Sequence, residues 1–172
     1  MRKNVAFALV ASVGWLLGSQ TLWAQEHEHM ARAELAKALK SANVSLEKGL
    51  LASEREGKPI SGKFELEDGK LQLSVYTMKG DKFSEVIVDH KTGKISKVEE
   101  ITGGEDLAAA KTQSEAMAKA KRSLHAAVAT AVKANKGYHA VSIMPALKDG
   151  HPTAEVTLVK GKEWKTVSEK LD

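Results

Sequence analysis

The chain has 172 residues, no cysteine and a formal net charge of +4. Without cysteine it has neither a disulfide framework nor an acylatable cysteine at an export cleavage site. Its 26 lysine and arginine residues are interspersed with 22 acidic residues, and aromatic residues make up only 5% of the chain. This mixed-charge surface argues against nucleic-acid binding, which needs a clustered basic face with stacking aromatics.

The N-terminus has the pattern of an export signal. Arg2 and Lys3 precede an apolar run at 5–17, and Leu-Trp-Ala at 22–24 is a small-residue ending typical of signal-peptidase cleavage. The apolar run is too short to cross a bilayer. The pattern predicts a signal peptide at 1–24 and a mature protein, periplasmic or secreted, that has no integral membrane segment.

The mature chain opens with a helical segment at 31–58. Its apolar residues recur at helical spacing: Leu35, Leu39, Ala42, Leu46 and Leu50. Ser45 can break this segment into two helices by capping the second.

A run of strands follows this helical segment. After Gly57 and Pro59 the apolar period changes to two, the spacing of a half-buried strand. Strand-like runs lie around Phe64 and Leu66, Leu71 to Val75, Val86 and Val88, and Ile95, with turn signals at Asp68-Gly69 and Lys79-Gly80. The pattern predicts an antiparallel meander of about four strands after the helix, and hence an α+β fold.

The turn between the last two strands reads Asp-His-Lys-Thr-Gly at 89–93. Asp89 can accept hydrogen bonds from backbone N–H groups within the turn, and Gly93 tolerates a positive φ that a side chain would oppose. Asp89, Thr92 and Gly93 therefore predict a hairpin loop of roughly three to five residues.

The second half of the mature chain repeats the order of the first. An alanine-rich helical segment at 113–135 precedes strand-like runs. One constant offset in residue number, which we call the strand offset, superposes Asp68-Gly69 on Asp149-Gly150, Val75 on Val156, Lys79-Gly80 on Lys160-Gly161, Phe83 on Trp164, and Val86 on Val167. The helix starts at Ser45 and Ser123 are related by a slightly smaller offset, the helix offset. This is the pattern of an internal duplication.

The duplication divides the chain into four segments. They are the signal peptide at 1–24, a first repeat at 25–101, a link at 102–112 with a Gly103-Gly104 break, and a truncated second repeat at 113–172. A module of about 60 residues buries only roughly 60% of its unfolded surface. Each repeat would be marginal alone, so we expect the copies to pack together or to dimerise.

The first repeat carries several motifs in a fixed order. They are Ser-Leu-Glu at 45–47, Glu-Leu-Glu at 65–67, an Asp-Gly turn, and Val-x-Val-Asp-x-x-Thr-Gly-x-Ile at 86–95. Over residues 45–96 this order resembles the PepSY domain family. In the second copy Lys170 stands at the position of Asp89, and Thr-Gly and the fourth strand are missing. We expect its truncated edge to pair with the first copy or with another chain.

The PepSY resemblance implies an extracytoplasmic, non-catalytic α+β module. Such domains occur in protease propeptides and envelope proteins, where roles in inhibiting or chaperoning peptidases have been suggested. An envelope protein or peptidase is therefore the partner that the resemblance implies.

Two partial enzyme motifs are incomplete. Residues 57–64 have the spacing of a phosphate-binding loop, but Phe64 replaces the magnesium-binding Ser or Thr and the segment runs from helix into strand. Residues 27–31 begin like a zinc-protease helix, but Ala31 replaces the second histidine. The chain has no cysteine and no Gly-x-Ser-x-Gly elbow, and no paired carboxylates in a context that would separate their pKa values. We assign no catalytic, cofactor-binding or metal-binding residue and predict that the chain is not an enzyme.

Cleavage after residue 24 would place Gln25-Glu26-His27 at the N-terminus. A free amine, two amide nitrogens and a third-position imidazole can bind Cu(II) or Ni(II) in a square plane. Cyclisation of Gln25 would remove that amine, and a solvated tail without a metal role is the alternative we favour. We expect surface or packing roles, not a shared site, for the other histidines considered: His90, His125, His139 and His151.

Three functional hypotheses remain. The lead is an envelope module whose sheet edge or face binds a polypeptide, such as a peptidase, by strand addition. The second is a metal- or small-ligand-responsive periplasmic protein, motivated by His27. The third is a structural, self-associating envelope protein, for example a homodimer.

Overall fold

The computed structural model describes residues 21–172, with side chains from residue 27 onward. The helices are α1 (Thr21–Ala38), α2 (Leu46–Ser53), α3 (Gly104–Lys119) and α4 (Leu124–Ala134), and a 3-10 turn (Leu39–Ser41) follows α1. The strands are β1 (Lys58–Glu67), β2 (Lys70–Lys79), β3 (Lys82–Val88), β4 (Ile95–Ile101), β5 (His139–Lys148), β6 (His151–Lys160) and β7 (Glu163–Lys170). The predicted α+β class is confirmed.

The predicted signal peptide at 1–24 falls almost wholly outside the described residues. Among the helices from residue 21 onward, none is long and apolar enough to span a membrane.

All seven strands form one antiparallel sheet in the order β4-β3-β2-β1-β5-β6-β7. The two meanders join where β1 pairs with β5, through Gly62 opposite Ile143 and Lys63 opposite Ser142. The strand offset that carries Asp68 onto Asp149 also carries Gly62 onto Ile143, so the central pair joins equivalent positions of the duplication. The sheet is therefore pseudo-twofold symmetric about that pair, and each meander covers one edge of the other.

The hairpin turns and β-bulges keep the same offset. The Asp-Gly turn at 68–69 has φ values of 49° and 73°, and the turn at 149–150 has 52° and 80°. Two positive φ angles are the mark of a type I′ hairpin turn. Bulges shift the register at 59–61 in β1 and at 140–142 in β5. The strand offset thus holds for turns, bulges and the central pair alike.

The turn between β3 and β4 has the predicted chemistry. One carboxylate oxygen of Asp89 accepts the backbone N–H groups of Lys91 and Thr92 at 3.0 and 2.7 Å, and the Thr92 hydroxyl at 2.9 Å. Gly93 has a φ of 74°, and its N–H donates to the Asp89 carbonyl at 2.8 Å. The hydrogen bonds from Thr92 and Lys91 hold the pKa of the Asp89 carboxyl below its usual range.

The helical segment predicted at 113–135 consists of the end of α3 and the whole of α4, and α4 begins after the helix start that the sequence indicates at Ser123. After α3 the backbone is extended at Ala120, with φ −74° and ψ 136°. The N–H groups of Lys121 and Arg122 then donate to the carbonyl of Leu171 at 2.7 and 3.0 Å. The end of β7 thus supplies the acceptor for the two backbone N–H groups between α3 and α4.

The start of α2 is built like the start of α4. Ser45 and Ser123 each accept a hydrogen bond from the backbone N–H three residues further on, as N-cap residues do. Before α2, the N–H groups of Asn43 and Val44 donate to the His90 carbonyl at 2.9 and 3.0 Å. In both repeats, therefore, backbone N–H groups just before a helix donate hydrogen bonds to a carbonyl just after the third strand.

The predicted link at 102–112 lies mostly in α3, which begins at Gly104 after the N-cap Gly103. The Gly-Gly break thus marks the start of a helix. The division of the chain at these residues stays a prediction.

The helices cover both faces of the sheet. α2 and α4 pack together on one face, where Gly49 of α2 lies against Leu73 and the leucines of α2 lie over Gly62. On α3, Gln113 accepts the Ser61 hydroxyl at 2.7 Å. Successive strand residues point to opposite faces, so Ser61 and Gly62 place α3 and α2 on opposite sides. The result is a three-layered protein in which the sheet is the middle layer.

Candidate functional site

A cavity of about 330 Å³ lies where the two repeats meet. Parts of α2, β1, α3 and α4 form its walls, and its lining includes Glu54, Lys58, Pro59, Met117, Ser123 and His125. We call it the junction cavity. Since its walls come from both repeats, packing of one repeat on the other creates it.

Three side chains of the junction cavity form a chain of hydrogen bonds. Ser123 Oγ lies 3.2 Å from Nε2 of His125, and Nδ1 of His125 lies 3.1 Å from Oε1 of Glu54. The His125 side chain is 31% exposed and the Glu54 side chain 46%. With its proton on Nδ1, His125 donates to Glu54 and can accept the Ser123 hydroxyl.

The two helix ends position these groups. Ser123 is the N-cap of α4 and His125 is the second residue inside it, whereas Glu54 is the C-cap of α2. Under the helix offset that carries Ser45 onto Ser123, Glu47 corresponds to His125 and Glu54 corresponds to Val132. The serine–histidine–carboxylate arrangement is therefore not repeated at the equivalent position.

The order of these groups is that of a serine hydrolase. In such enzymes the imidazole takes the serine proton and the carboxylate holds the imidazole in the required tautomer. Here the Ser123 hydroxyl also accepts the Ala126 N–H at 3.4 Å, so it serves as a helix cap as well. Lys58 adds a positive charge to the wall, with its ammonium donating to the Met117 carbonyl at 2.7 Å.

Sequence patterns do not reveal this site. From the sequence, Ser123 is a helix start and His125 is expected to have a surface or packing role. Glu54 lies 71 residues from His125, and no short motif spans that distance. The one available signal is the departure from the duplication, since the first repeat has Glu47 at the position of His125.

A second polar group lies between α3 and the sheet. Lys63 Nζ lies 2.6 Å from Glu65 Oε2, and the Tyr76 hydroxyl donates to Glu85 Oε1 at 3.4 Å. Burial raises the pKa of both Glu85 and Tyr76. Asp106 of α3 has a buried Oδ1 without a hydrogen-bond partner, and burial raises the pKa of this carboxyl too. Burial thus disfavours the charged forms of Glu85 and Asp106.

The partial motifs of the sequence are not completed in space. Residues 58–64 lie in strand β1, where Lys63 pairs with Glu65. Residues 27–31 lie in α1 and His27 is exposed, while the side chains of residues 25 and 26 fall outside the described part. Within the described part of the chain, no group of three or more His, Asp or Glu residues could hold a metal ion.

The edge strands of the sheet are β4 and β7, and no further strand within residues 21–172 pairs with either of them. The residues of β4 are almost all exposed, and Val98 at its centre is 44% exposed. Along β7 exposed residues alternate with half-buried ones. Backbone groups on the outer side of an edge strand can pair with another chain. The edges are therefore candidate binding surfaces besides the junction cavity.

The fold and these surfaces define an α+β protein in which two repeats share one antiparallel sheet. No family model matches the chain, and no curated protein matches it either. It is similar to the crystal structure of a candidate lipoprotein from Clostridium difficile 630, with 10% sequence identity and a TM-score of 0.41. That likeness covers 70% of this chain and 79% of the other. The PepSY resemblance is not confirmed by these comparisons.

Proposed function

We propose that this protein is a non-enzymatic, exported binding module of the cell envelope that takes up an extended polypeptide by strand addition at β7. The observation that carries the proposal is the open outer edge of β7, Glu163–Lys170. An added strand would bond to the outward N–H and C=O groups for affinity, and alternate side chains would supply selectivity.

The centre of β7 suits an incoming strand. Residues 166–168 (Thr-Val-Ser) carry no charge, whereas charged residues commonly protect sheet edges against added strands. The charges beside them are engaged within the fold, Lys165 with Asn135 and Glu169 with Arg122. An extended segment could therefore pair here without meeting an unpaired charge.

The location and the class of partner rest on the sequence. The export pattern at 1–24 supports a periplasmic or secreted protein. The PepSY-like motifs over 45–96 support an envelope peptidase as the polypeptide that is bound or modulated.

Two proline variants test strand addition. Successive residues of an antiparallel strand direct their N–H groups to opposite sides, so Thr166→Pro and Val167→Pro differ in which side they disrupt. The proline that replaces an inward-pointing N–H removes a hydrogen bond to β6 and lowers the unfolding midpoint. The proline that replaces an outward-pointing N–H leaves the hydrogen bonds to β6 in place. We expect the second, stable variant to lose photo-crosslinking from a benzophenone at Ser168 to native envelope proteins.

A benzophenone at Lys133, exposed on α4, is the matched control for this crosslink. Partner bands that appear equally from Lys133, or that persist in the stable proline variant, contradict binding at the β7 edge.

A second candidate function rests on the Ser123–His125–Glu54 chain. The junction cavity would then be an acyl- or phosphoryl-accepting site in which the Ser123 hydroxyl is the nucleophile. A fluorophosphonate probes this chemistry, because Ser123 Oγ forms the bond to phosphorus, fluoride leaves, and His125 Nε2 takes the hydroxyl proton.

The duplication supplies an internal control for that probe. Ser45 caps α2 as Ser123 caps α4, but it has Glu47 two residues on and no histidine there. A reactive site predicts one adduct per chain, at Ser123, with labelling slowed at least about tenfold in His125→Gln. Labelling of neither serine, or of both at equal rates, leaves Ser123 as a helix cap only.

A further inference from the structure

The outer edge of β4 carries a self-complementary pattern. Its seven residues, from Ile95 to Ile101, read Ile-Ser-Lys-Val-Glu-Glu-Ile. Val98 at the centre is an exposed apolar side chain, and its neighbours Lys97 and Glu99 are 58% and 53% exposed. We infer that β4 pairs antiparallel with β4 of a second copy of this chain, about a twofold axis at Val98.

Symmetry restricts the register of such a pair. Two antiparallel copies of one edge strand are related by a twofold axis normal to the sheet, and residues opposite each other lie on the same face. The axis must then pass through a residue. The register of β4 on β3 shifts at Ser96, so the regular part of the strand is 97–101. Within that part an axis at Val98 pairs Lys97 with Glu99 of the second copy and Val98 with Val98. An axis at Lys97 or at Glu99 sets two like charges opposite each other, which destabilises a sheet.

The charges on β4 fit the Val98 axis. Lys97 of each copy lies opposite Glu99 of the other copy, and within one strand Lys97 Nζ is already 2.7 Å from Glu99 Oε1. Four charges of alternating sign would therefore cluster on one face of the joined sheet. On the other face the two Val98 side chains would cover each other, which removes exposed apolar surface from water.

The β7 edge is a poorer self-partner. An axis at Val167 would set Lys165 opposite Glu169 of the second copy, but both side chains are in use within the fold. Lys165 donates to Asn135 and lies 4.2 Å from the Tyr138 ring centroid, and the Glu169 side chain is only 15% exposed. Self-pairing is thus assigned to β4, and this inference does not depend on polypeptide binding at β7.

The strength of the contact follows from its size. One pair of such short strands buries less surface than a standard stable protein interface, and its ion pairs face solvent, where salt screens them. We expect a reversible dimer whose dissociation constant rises with ionic strength.

Charge reversal on β4 gives the decisive experiment, using sedimentation velocity on the exported protein. Lys97→Glu makes the four-charge cluster wholly acidic and Glu99→Lys makes it wholly basic, so each variant alone should be monomeric where the wild type dimerises. An equimolar mixture of the two variants should form a dimer again. A mixture that stays monomeric, a Lys97→Glu variant that dimerises like the wild type, or a wild type that never dimerises overturns the proposal.

A cysteine at the axis tests the register directly, because the chain has no cysteine of its own. Opposite residues of antiparallel strands have Cα atoms about 4.5–5.5 Å apart, a distance that a disulfide accepts. Mild oxidation should link Val98→Cys into a covalent dimer and leave Val167→Cys, at the centre of β7, monomeric. A dimer of Val167→Cys in place of Val98→Cys would move the interface to β7 and overturn the proposal.

Discussion

Glu85 lies on β3 with its carboxylate beside the Tyr76 hydroxyl, and burial raises its pKa above the ordinary value of 4.5. Below that value both folded and unfolded chains hold the proton, so burial of the carboxyl carries no charge penalty. As pH rises through the folded-state pKa, the buried group ionises and folding stability falls. Glu85→Gln should therefore raise the unfolding midpoint at about pH 7 and change it little near pH 4.

Thermal unfolding across this pH range, with Glu155→Gln as a control on an exposed position of β6, measures the effect. A Glu85→Gln midpoint that is unchanged or lower at neutral pH contradicts a burial penalty at Glu85.

Single residues were predictable where their role is local. Asp89 and Gly93 make the turn that their spacing predicts, and Ser45 caps α2, because each acts within a few residues of itself. The Ser123–His125–Glu54 chain was not predictable, because the packing of α2 against α4 determines the approach of Glu54 to His125.

Among the contacts between secondary-structure elements, we expect the one at Leu171, between the end of β7 and the start of α4, to have the largest effect on stability. Leu171 is fully buried, its carbonyl accepts Lys121 and Arg122, and its N–H donates to Pro152 at 2.9 Å. Leu171→Ala keeps these backbone bonds but leaves a cavity, so it should lower the free energy of unfolding by about 2–5 kcal/mol. Urea denaturation measures the change.

His90→Ala is the matched control, since the His90 carbonyl holds the equivalent place before α2 and its side chain is only half-buried. Equal losses of unfolding free energy from Leu171→Ala and His90→Ala would contradict a cavity cost specific to the buried Leu171 side chain.

Elements were predictable from the sequence to the extent that hydrophobic period and turn residues define them. The meander of β1 to β4 and the three strands of the second repeat lie where alternation and the Asp-Gly and Lys-Gly turns predict them. The start of α4 was indicated by Ser123, but the hydrogen bonds of Lys121 and Arg122 to the Leu171 carbonyl were not predictable, because Leu171 is far away in sequence. The residues before 113 also extend α3 beyond its prediction, since alanine-rich stretches continue a helix readily.

At the scale of the whole molecule, the strand offset predicted the order of elements but not how the repeats join. The β1–β5 pairing has no signal of its own in either strand, because any open edge can pair with another. It is favoured by symmetry, which brings Gly62 opposite Ile143, and by the packing of α2 on α4. The symmetric strand pairing and the helix packing both need residues from the two repeats, so the sequence of one repeat alone does not predict the β1–β5 pair.

The β1–β5 pair and the α2–α4 packing also predict how the chain folds. Residues 25–101 and residues 102–172, produced separately, should each lack a cooperative thermal transition, since each would expose the edge of β1 or β5 and half of the α2–α4 contact. Modules this small bury only roughly 60% of their unfolded surface. Mixed together, the halves should regain dispersed amide resonances in a two-dimensional NMR spectrum, and Ile143→Ala at the central pair should weaken that complementation. A first half that gives a dispersed spectrum and a cooperative melt by itself would show that the shared sheet is an assembly of two stable domains.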